Sequence, residues 1–440
     1  MHMPLLLLVS TLLLTVGGVP RAAPPDYSGE YGLASGGVLS VVYEGAVTEA
    51  AQLILIDWLT GRVGPLQGDG TDEFIVPTNA TPTRVTFVRD EKGTVTRMLL
   101  VVGDAPAVPA ERIYTYIDHA VSFKANGTCL TGTLKVPIGT GPFPAVVLIH
   151  GSGPGTREQV ESMSRFFSHQ GMAVLSFDKR GCGGSSGDWK TASFNDLAGD
   201  VLAGVAFLRE RSDIDPDRVG LWGISQGGWI GPLAAARSDH IAFVINHSGP
   251  GTTPRRQDVY MTSRILAMQD VPAADIEYAT SALNAMYDYG QGRASAADLD
   301  ATLEVVQGKP GLEDFEGLSS RNVSPDSMYA LQPMGDPAWF FHIDPDHDAL
   351  TPYRRLDCPV LVVYGRLDYT VPVIESASLI TRALQQREHP DYTVEIIDET
   401  GHGMLVMDPA APFRPVTPLT QSHEYFDLLE SWLTARGFTN

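Results

Sequence analysis

The stretch Asp217-Arg-Val-Gly-Leu-Trp-Gly-Ile-Ser-Gln-Gly-Gly-Trp229 restricts the fold of this chain more than any other. Val219 to Trp222 is a short apolar run, the pattern of a strand buried on both faces. Gly223 to Gly227 then read G-x-S-x-G, and Trp229 to Arg237 is apolar enough for a buried helix, with Pro232 demanding a helix start nearby or a kink. Strand, sharp turn and helix together make Ser225 a nucleophile candidate. A hydroxyl is a weak nucleophile near neutral pH, so it needs exposure on a turn, a base and donors for the developing oxyanion. Gly223 and Gly227 supply the turn, because Cβ atoms there would keep strand and helix apart. The bare pentapeptide also occurs by chance in Gly-rich chains, and the flanking strand and helix argue against that here.

A base and an acid are expected downstream, each at the C-terminal end of a later strand. Cys358 to Asp368 (C-P-V-L-V-V-Y-G-R-L-D) is an apolar run that ends in a Gly-containing loop, which puts Asp368 at the mouth of a buried strand. Tyr392 to His402 repeats this pattern, with His402 between two glycines. Asp368 is the candidate acid and His402 the candidate base. The rivals are worse placed: Asp357 and His389 precede their strands, and His423 falls within the expected C-terminal helix. The oxyanion donors are expected to be the N–H of Gln226 and an N–H from the loop after Phe143 to His150. Ser152 is preferred there, with Gly151 and Gly153 beside it. A Gly-rich loop of this kind can cradle phosphate, but the G-x-x-x-x-G-K-[ST] pattern is absent. His150 reads as a structural residue that fixes the loop.

These motifs stand in one order: P-F-P-A-V-V-L-I-H-G-S-G-P-G-T-R-E from Pro142, S-F-D-K-R-G-C-G-G-S-S-G from Ser176, then D-P-D-R-V-G-L-W-G-I-S-Q-G-G, V-L-V-V-Y-G-R-L-D and G-H-G. Residues 111 to 440 thereby resemble the α/β-hydrolase superfamily, and within it the serine esterases related to bacterial dienelactone hydrolases. The resemblance implies a mostly parallel, doubly wound sheet, with Ser225 as nucleophile, Asp368 as acid, His402 as base and the Gly151–Gly153 turn as oxyanion loop. It implies no cofactor. Esterases of this kind often carry Glu where Gln226 stands, a difference that touches only the side chain. Asp178 to Ser186 matches a turn that is structural in such proteins, Asp178 and Arg180 tying the loop down. Cys182 lacks the His or Asn pattern of a cysteine hydrolase and reads as a packed thiol.

Around this core, residues 27–108 alternate short apolar runs with Gly- and Asp-rich turns and are expected to form a β-rich accessory domain, with Asp90 to Gly93 as a hairpin. The pattern resembles small lipocalin-like domains found beside serine hydrolases, and a packing or subunit-pairing role is preferred to ligand binding. A helical cap is expected over 252–352, inserted into a catalytic domain of 111–251 and 353–440. Tyr278, Met286, Tyr287, Tyr289 and Trp339 to Phe341 could line an acyl pocket, and packing within the core is the preferred reading for most of them. The amphipathic stretch Glu424 to Arg436 should form a closing helix with Phe426, Leu428, Leu429 and Leu433 inward. His342 to Asp348 holds several potential ligands, but Pro345 interrupts it and a capping loop is the preferred reading over a metal site.

Residues 1–23 carry apolar runs too short for a confident membrane span, as in a secretory signal peptide, although the segment lacks Lys and Arg ahead of them. The expectation is a secreted or periplasmic protein with no stable membrane anchor once the leader is removed. Cys129, Cys182 and Cys358 permit at most one internal disulfide. Asn79, Asn126, Asn246 and Asn322 open N-x-S/T patterns. A formal charge of −21 argues against nucleic-acid partners. The function expected is a serine carboxylesterase for small or medium acyl esters, possible as a homodimer. An acylaminopeptidase-like hydrolase, a thioesterase or acyltransferase, and a binding protein on the same scaffold are the alternatives.

Overall fold

A computed structural model of the 440-residue chain describes residues 27–44, 52–68, 71–77, 81–312, 319–320, 344–416 and 419–439. The expected leader, Asn79, Asn322, Trp339 to Phe341 and His342 lie outside the described residues.

The first domain is a single antiparallel sheet of β1 (Gly29–Leu33), β2 (Val38–Glu44), β3 (Gln52–Asp57), β4 (Arg62–Pro65), β5 (Gln67–Gly68), β6 (Glu73–Val76), β7 (Thr83–Arg89), β8 (Val95–Val102) and β9 (Val108–Ile113). Its order is β4-β3-β2-β1-β9-β8-β7-β6-β5. The two edge strands, β4 and β5, are joined by Leu66 alone, so the sheet has to curl round on itself. Tyr31, Val41, Val85, Val95, Met98 and Ala110 fill the interior. The expected hairpin joins β7 to β8, where Asp90 Oδ1 accepts the N–H groups of Lys92 and Thr94, both at 2.9 Å. Because β9 pairs with both β1 and β8, the sheet runs to Ile113, five residues beyond the boundary expected at 108.

The second domain is an eight-stranded sheet of β10 (Tyr116–Ala125), β11 (Thr128–Pro137), β12 (Phe143–Ile149), β13 (Ala173–Phe177), β14 (Ile214–Ile224), β15 (Val244–His247), β16 (Val360–Gly365) and β17 (Tyr392–Ile397). Its order is β10-β11-β13-β12-β14-β15-β16-β17, parallel from β13 onward. β12 and β16 are apolar throughout because both of their faces are covered. Val146 and Leu148 of β12 pack on α1 (Glu161–His169) and the C-terminal helix, while Ala145, Val147 and Ile149 pack under α2 (Phe194–Arg209) and α3 (Gly227–Ala235). This is the α/β-hydrolase fold expected from the sequence. A two-stranded ribbon, β18 (Met407–Asp408) with β19 (Ala411–Pro415), follows β17.

Helix α3 starts at Gly227, two residues before the expected Trp229, and keeps Pro232 inside it. Proline cannot bond the carbonyl four residues earlier. Here the Tyr353 hydroxyl donates to that carbonyl, Gly228 O, at 3.5 Å. The cap is α4 (Pro254–Met268), α5 (Ala273–Gly290) and α6 (Ala296–Glu304). Met286 and Tyr287 are fully buried in the cap's own packing, so neither lines an acyl pocket, while Tyr278 is exposed. After α7 (Leu350–Tyr353) and α8 (Val373–Gln386), α9 (His423–Thr434) closes the chain. Tyr425, Leu429, Trp432 and Leu433 are its buried residues, while Phe426 and Leu428 are only half-buried.

The two domains are docked. β2 and β3 are apolar on both faces: Val41, Leu53 and Leu55 point into the barrel, whereas Val42, Ile54 and Ile56 form a second cluster with Trp58. The Trp58 ring meets Phe166 and His169 of α1 and Phe426 of α9. Beneath it, Glu30 of β1 pairs with Arg165 and His169 of α1.

Candidate active site

Ser225 sits at φ 54° between β14 and α3. A left-handed serine costs about 1 to 3 kcal/mol and persists only where its surroundings over-determine it. Its N–H is held by His247 O at 2.9 Å and its carbonyl by Gly228 N at 2.8 Å. A Cβ on Gly223 would collide with the carbonyl oxygen of Gly227, and one on Gly227 would lie 2.7 Å from Ile149 O. Both glycines are therefore required by backbone meeting backbone. A Cβ on Gly151 would stand 3.4 Å from Ser225 Cβ, which sets the loop after β12 directly against the serine.

Asp368 and His402 are brought together from the ends of two neighbouring strands. Asp368 follows β16, and its Oδ1 accepts Thr370 N at 2.7 Å and Val371 N at 3.0 Å. Its Oδ2 lies 2.7 Å from His402 Nδ1. A carboxylate can only accept, so Nδ1 carries the hydrogen and Nε2 keeps its lone pair. The Asp368 side chain is fully buried, and that of His402 is 9% exposed. Among the described residues the Ser225 hydroxyl makes no hydrogen bond, to His402 or to another group. Catalytic contacts of this kind are often long in resting sites and tighten around substrate. The rivals lie apart: Asp357 pairs with Arg387, His389 accepts Asp391 N at 3.1 Å, and His423 opens α9.

The backbone N–H groups of Ser152 and Gln226 make no hydrogen bond among the described residues, which leaves both as donors beside Ser225. His150 lies beneath them with Nε2 3.1 Å from Thr156 O. Burial, and after it the charge of Lys179, pushes its pKa down to about 4, so it is neutral and donates.

Three residues that the sequence did not single out hold this arrangement. His247 accepts the Ser225 N–H with its carbonyl, and its ring Nε2 lies 3.2 Å from His402 O. Nε2 therefore donates, and Nδ1 accepts the Tyr425 hydroxyl at 2.8 Å, which in turn accepts Trp222 Nε1–H at 3.0 Å. Burial, with His402 nearby, pushes the His247 pKa down to about 3, which keeps the ring neutral. Lys179 is the third and reaches the loop after β12. A cation in the D-K-R-G turn at the C-terminal end of a central strand is the sequence signal that could have found it. For Tyr425, a buried polar tip on α9, periodicity offers no signal.

The histidine loop is also fastened to the first domain. Leu419 to Gln421 runs between them: Val63 N donates to Leu419 O and Gln421 N to Gly61 O on one side, while Val406 N donates to Thr420 O on the other. Gly61, at φ 65°, has no room for a Cβ against Gln421 O.

Asp178 accepts the N–H, Nε and Nη2 of Arg157, and Arg180 pairs with Asp200, so both tie their loop down. The Cys182 thiol is buried, and all three cysteines are free. In the His342–Asp348 loop, Asp346 pairs with Arg255 and Arg293, and Asp348 accepts N–H groups at the start of α7. No group of His, Cys, Asp and Glu among the described residues is arranged to hold a metal ion. No helix among them is long and apolar enough to cross a membrane. Asn246 is fully buried, with its amide spent on Gly249 and Tyr353, so this N-x-S is closed to glycosylation; Asn126 lies in an exposed turn.

The alpha/beta hydrolase family model matches residues 146–415, and the chain belongs to that family. Esterase EstD of Thermotoga maritima is 25% identical over 314 residues, covering 69% of this chain and 65% of the relative. The quorum-quenching protein AidA of Acinetobacter baumannii is 32% identical over 127 residues, 29% of this chain and 42% of the relative. The chain thus spans less than two thirds of the length of both relatives. A dienelactone hydrolase structure from Anabaena variabilis aligns at 15% identity and a TM-score of 0.41, over 73% of this chain and 99% of its own.

Proposed function

We propose that this protein is a serine carboxylesterase acting on small to medium acyl esters. Ser225 Oγ attacks the acyl carbon as His402 Nε2 takes its proton, and Asp368 holds the tautomer and stabilises the charged ring. The oxygen of the tetrahedral intermediate is met by the N–H groups of Gln226 and Ser152, with Gly151 shaping the loop. His402 then gives its proton to the leaving alcohol, and water, deprotonated by the same imidazole, releases the acid and restores Ser225. No cofactor takes part in this sequence of steps. The observation that supports the reading is the 2.7 Å pairing of His402 Nδ1 with a fully buried Asp368, with His247 bonded both to His402 O and to the N–H of the left-handed Ser225. That the relative EstD is called an esterase agrees with it.

A fluorophosphonate probe with peptide mapping tests the site: the adduct is expected on Ser225 and absent from Ser225→Ala. A panel of p-nitrophenyl esters, aminoacyl nitroanilides and acyl-CoA thioesters tests the substrate class. Turnover of the esters alone is expected, with Ser225→Ala lowering it by about 10⁴-fold or more. Labelling elsewhere, or faster turnover of anilides or thioesters, refutes the assignment.

A further inference from the structure

We infer that Lys179 is a positioning residue of the oxyanion site: its ammonium orients and polarises the Gly151–Ser152 peptide so that the Ser152 N–H is held for the oxyanion. The inference deepens the serine-hydrolase reading and rests on it. Lys179 is 6% exposed, and its Nζ lies 2.6 Å from Gly151 O, 2.7 Å from Gly153 O and 3.2 Å from Gln226 Oε1. An ammonium has three hydrogens to give, and these acceptors lie on the two segments that carry the proposed oxyanion donors.

The Gly151–Ser152 bond is trans, so its carbonyl and its N–H point in opposite directions. A cation drawn onto Gly151 O therefore turns the Ser152 N–H away from itself. A Cβ on Gly151 would stand 3.4 Å from Ser225 Cβ, so this peptide borders the serine. The same charge draws electron density along the peptide towards the carbonyl, which makes the N–H a better donor. In a buried setting this polarisation is poorly screened. The ammonium is also fixed in place. Lys179 N donates to Gly155 O at 2.8 Å, and Asp178 beside it grips Arg157, so the loop is tied to the end of β13 by backbone and side chains alike. Gln226 fits the same scheme. Its side-chain carbonyl accepts from Lys179, which holds the residue whose backbone N–H is the second donor.

The test compares wild type with Lys179→Met and Lys179→Gln, using a p-nitrophenyl ester as substrate. Two inhibitors distinguish orientation from general damage. A trifluoromethyl ketone forms an oxyanion on the serine, whereas the corresponding trifluoromethyl carbinol cannot. We expect Lys179→Met to lower kcat by about 10- to 100-fold, part of the loss seen when an oxyanion donor is removed, with KM little changed. Ketone affinity should fall by the same factor and carbinol affinity should hold. Lys179→Gln, which keeps a donor without the charge, should lie between, and it carries the comparison if the methionine variant does not fold. Unchanged kcat and ketone affinity, or equal losses for ketone and carbinol, would overturn the inference. A wild-type enzyme that takes no fluorophosphonate at Ser225 would instead overturn the underlying reading, and the inference with it.

Discussion

Glu30 is one buried carboxylate that holds two domains together, and replacing it with Gln should expose how much. It is 2% exposed on β1 and accepts Ser40 Oγ at 2.5 Å and the Tyr116 hydroxyl at 3.1 Å. Across the interface it meets Arg165 and, at 3.1 Å, His169 Nε2. Burial pushes its carboxyl up, but His169, Arg165 and Ser40 together outweigh that and bring it from its ordinary 4.5 to about 2. A carboxyl whose pKa is lower in the folded protein stabilises it above the unfolded value and loses that contribution as pH falls through the folded one. The shift corresponds to about 3 kcal/mol, fully present above about pH 5.5 and roughly half lost near pH 3. Urea unfolding of wild type and Glu30→Gln, followed by circular dichroism and by Trp emission because Trp58 lies in the interface, should differ by about 3 kcal/mol near pH 7. That difference should shrink to about half near pH 3. A gap that stays constant across this range, or one below about 1 kcal/mol at pH 7, would refute the account.

Two further substitutions test the supports of the site. Tyr425→Phe strips the buried Trp222 Nε1 and His247 Nδ1 of their shared partner and should cost about 2 to 4 kcal/mol, with kcat falling severalfold because the His247 ring no longer holds the His402 carbonyl firmly; a melting temperature equal to wild type refutes it. Gly223→Ala drives a methyl into the Gly227 carbonyl, and fluorophosphonate labelling of Ser225 should be lost even where circular dichroism shows a folded chain.

How much of this could be read in advance follows from the range of the forces concerned. The central parallel strands announced themselves because both faces are buried, and Ser225 and Asp368 because each follows such a strand at a glycine turn; His402 stands at a glycine turn after β17, a partly buried edge strand. The start of α3 was misplaced by two residues because a proline normally ends helical pairing, and the hydroxyl that relieves Pro232 comes from Tyr353, more than a hundred residues away in sequence. Met286 and Tyr287 take the packing role preferred for them: both are fully buried, and the Tyr287 hydroxyl bonds Asp258 of α4, a partner that helical spacing does not reveal. The boundary at 108 failed for a similar reason: β9 pairs with β1, the first strand of the described chain, and local pattern carries no trace of that closure. His247, Tyr425 and Lys179 escaped notice because each acts through a polar atom whose partner lies on another element.

The same distinction bears on what the first domain does. Its interior is filled by side chains such as Tyr31, Val85 and Met98. Its contacts lead elsewhere: the turn before β4 is bonded to Leu419–Gln421, and that segment is bonded to Val406, four residues after His402. A loop that carries the proposed base His402 must hold its imidazole to within about half an ångström, and loops lack the ladder of hydrogen bonds that fixes strands. Here backbone pairing from a neighbouring domain supplies that ladder on one side, and the His247 ring supplies a second hold on the other. On the proposed function the barrel is thus part of the scaffold of the site, and the Glu30–Arg165 pair and the Trp58 ring packed between α1 and α9 hold it in place.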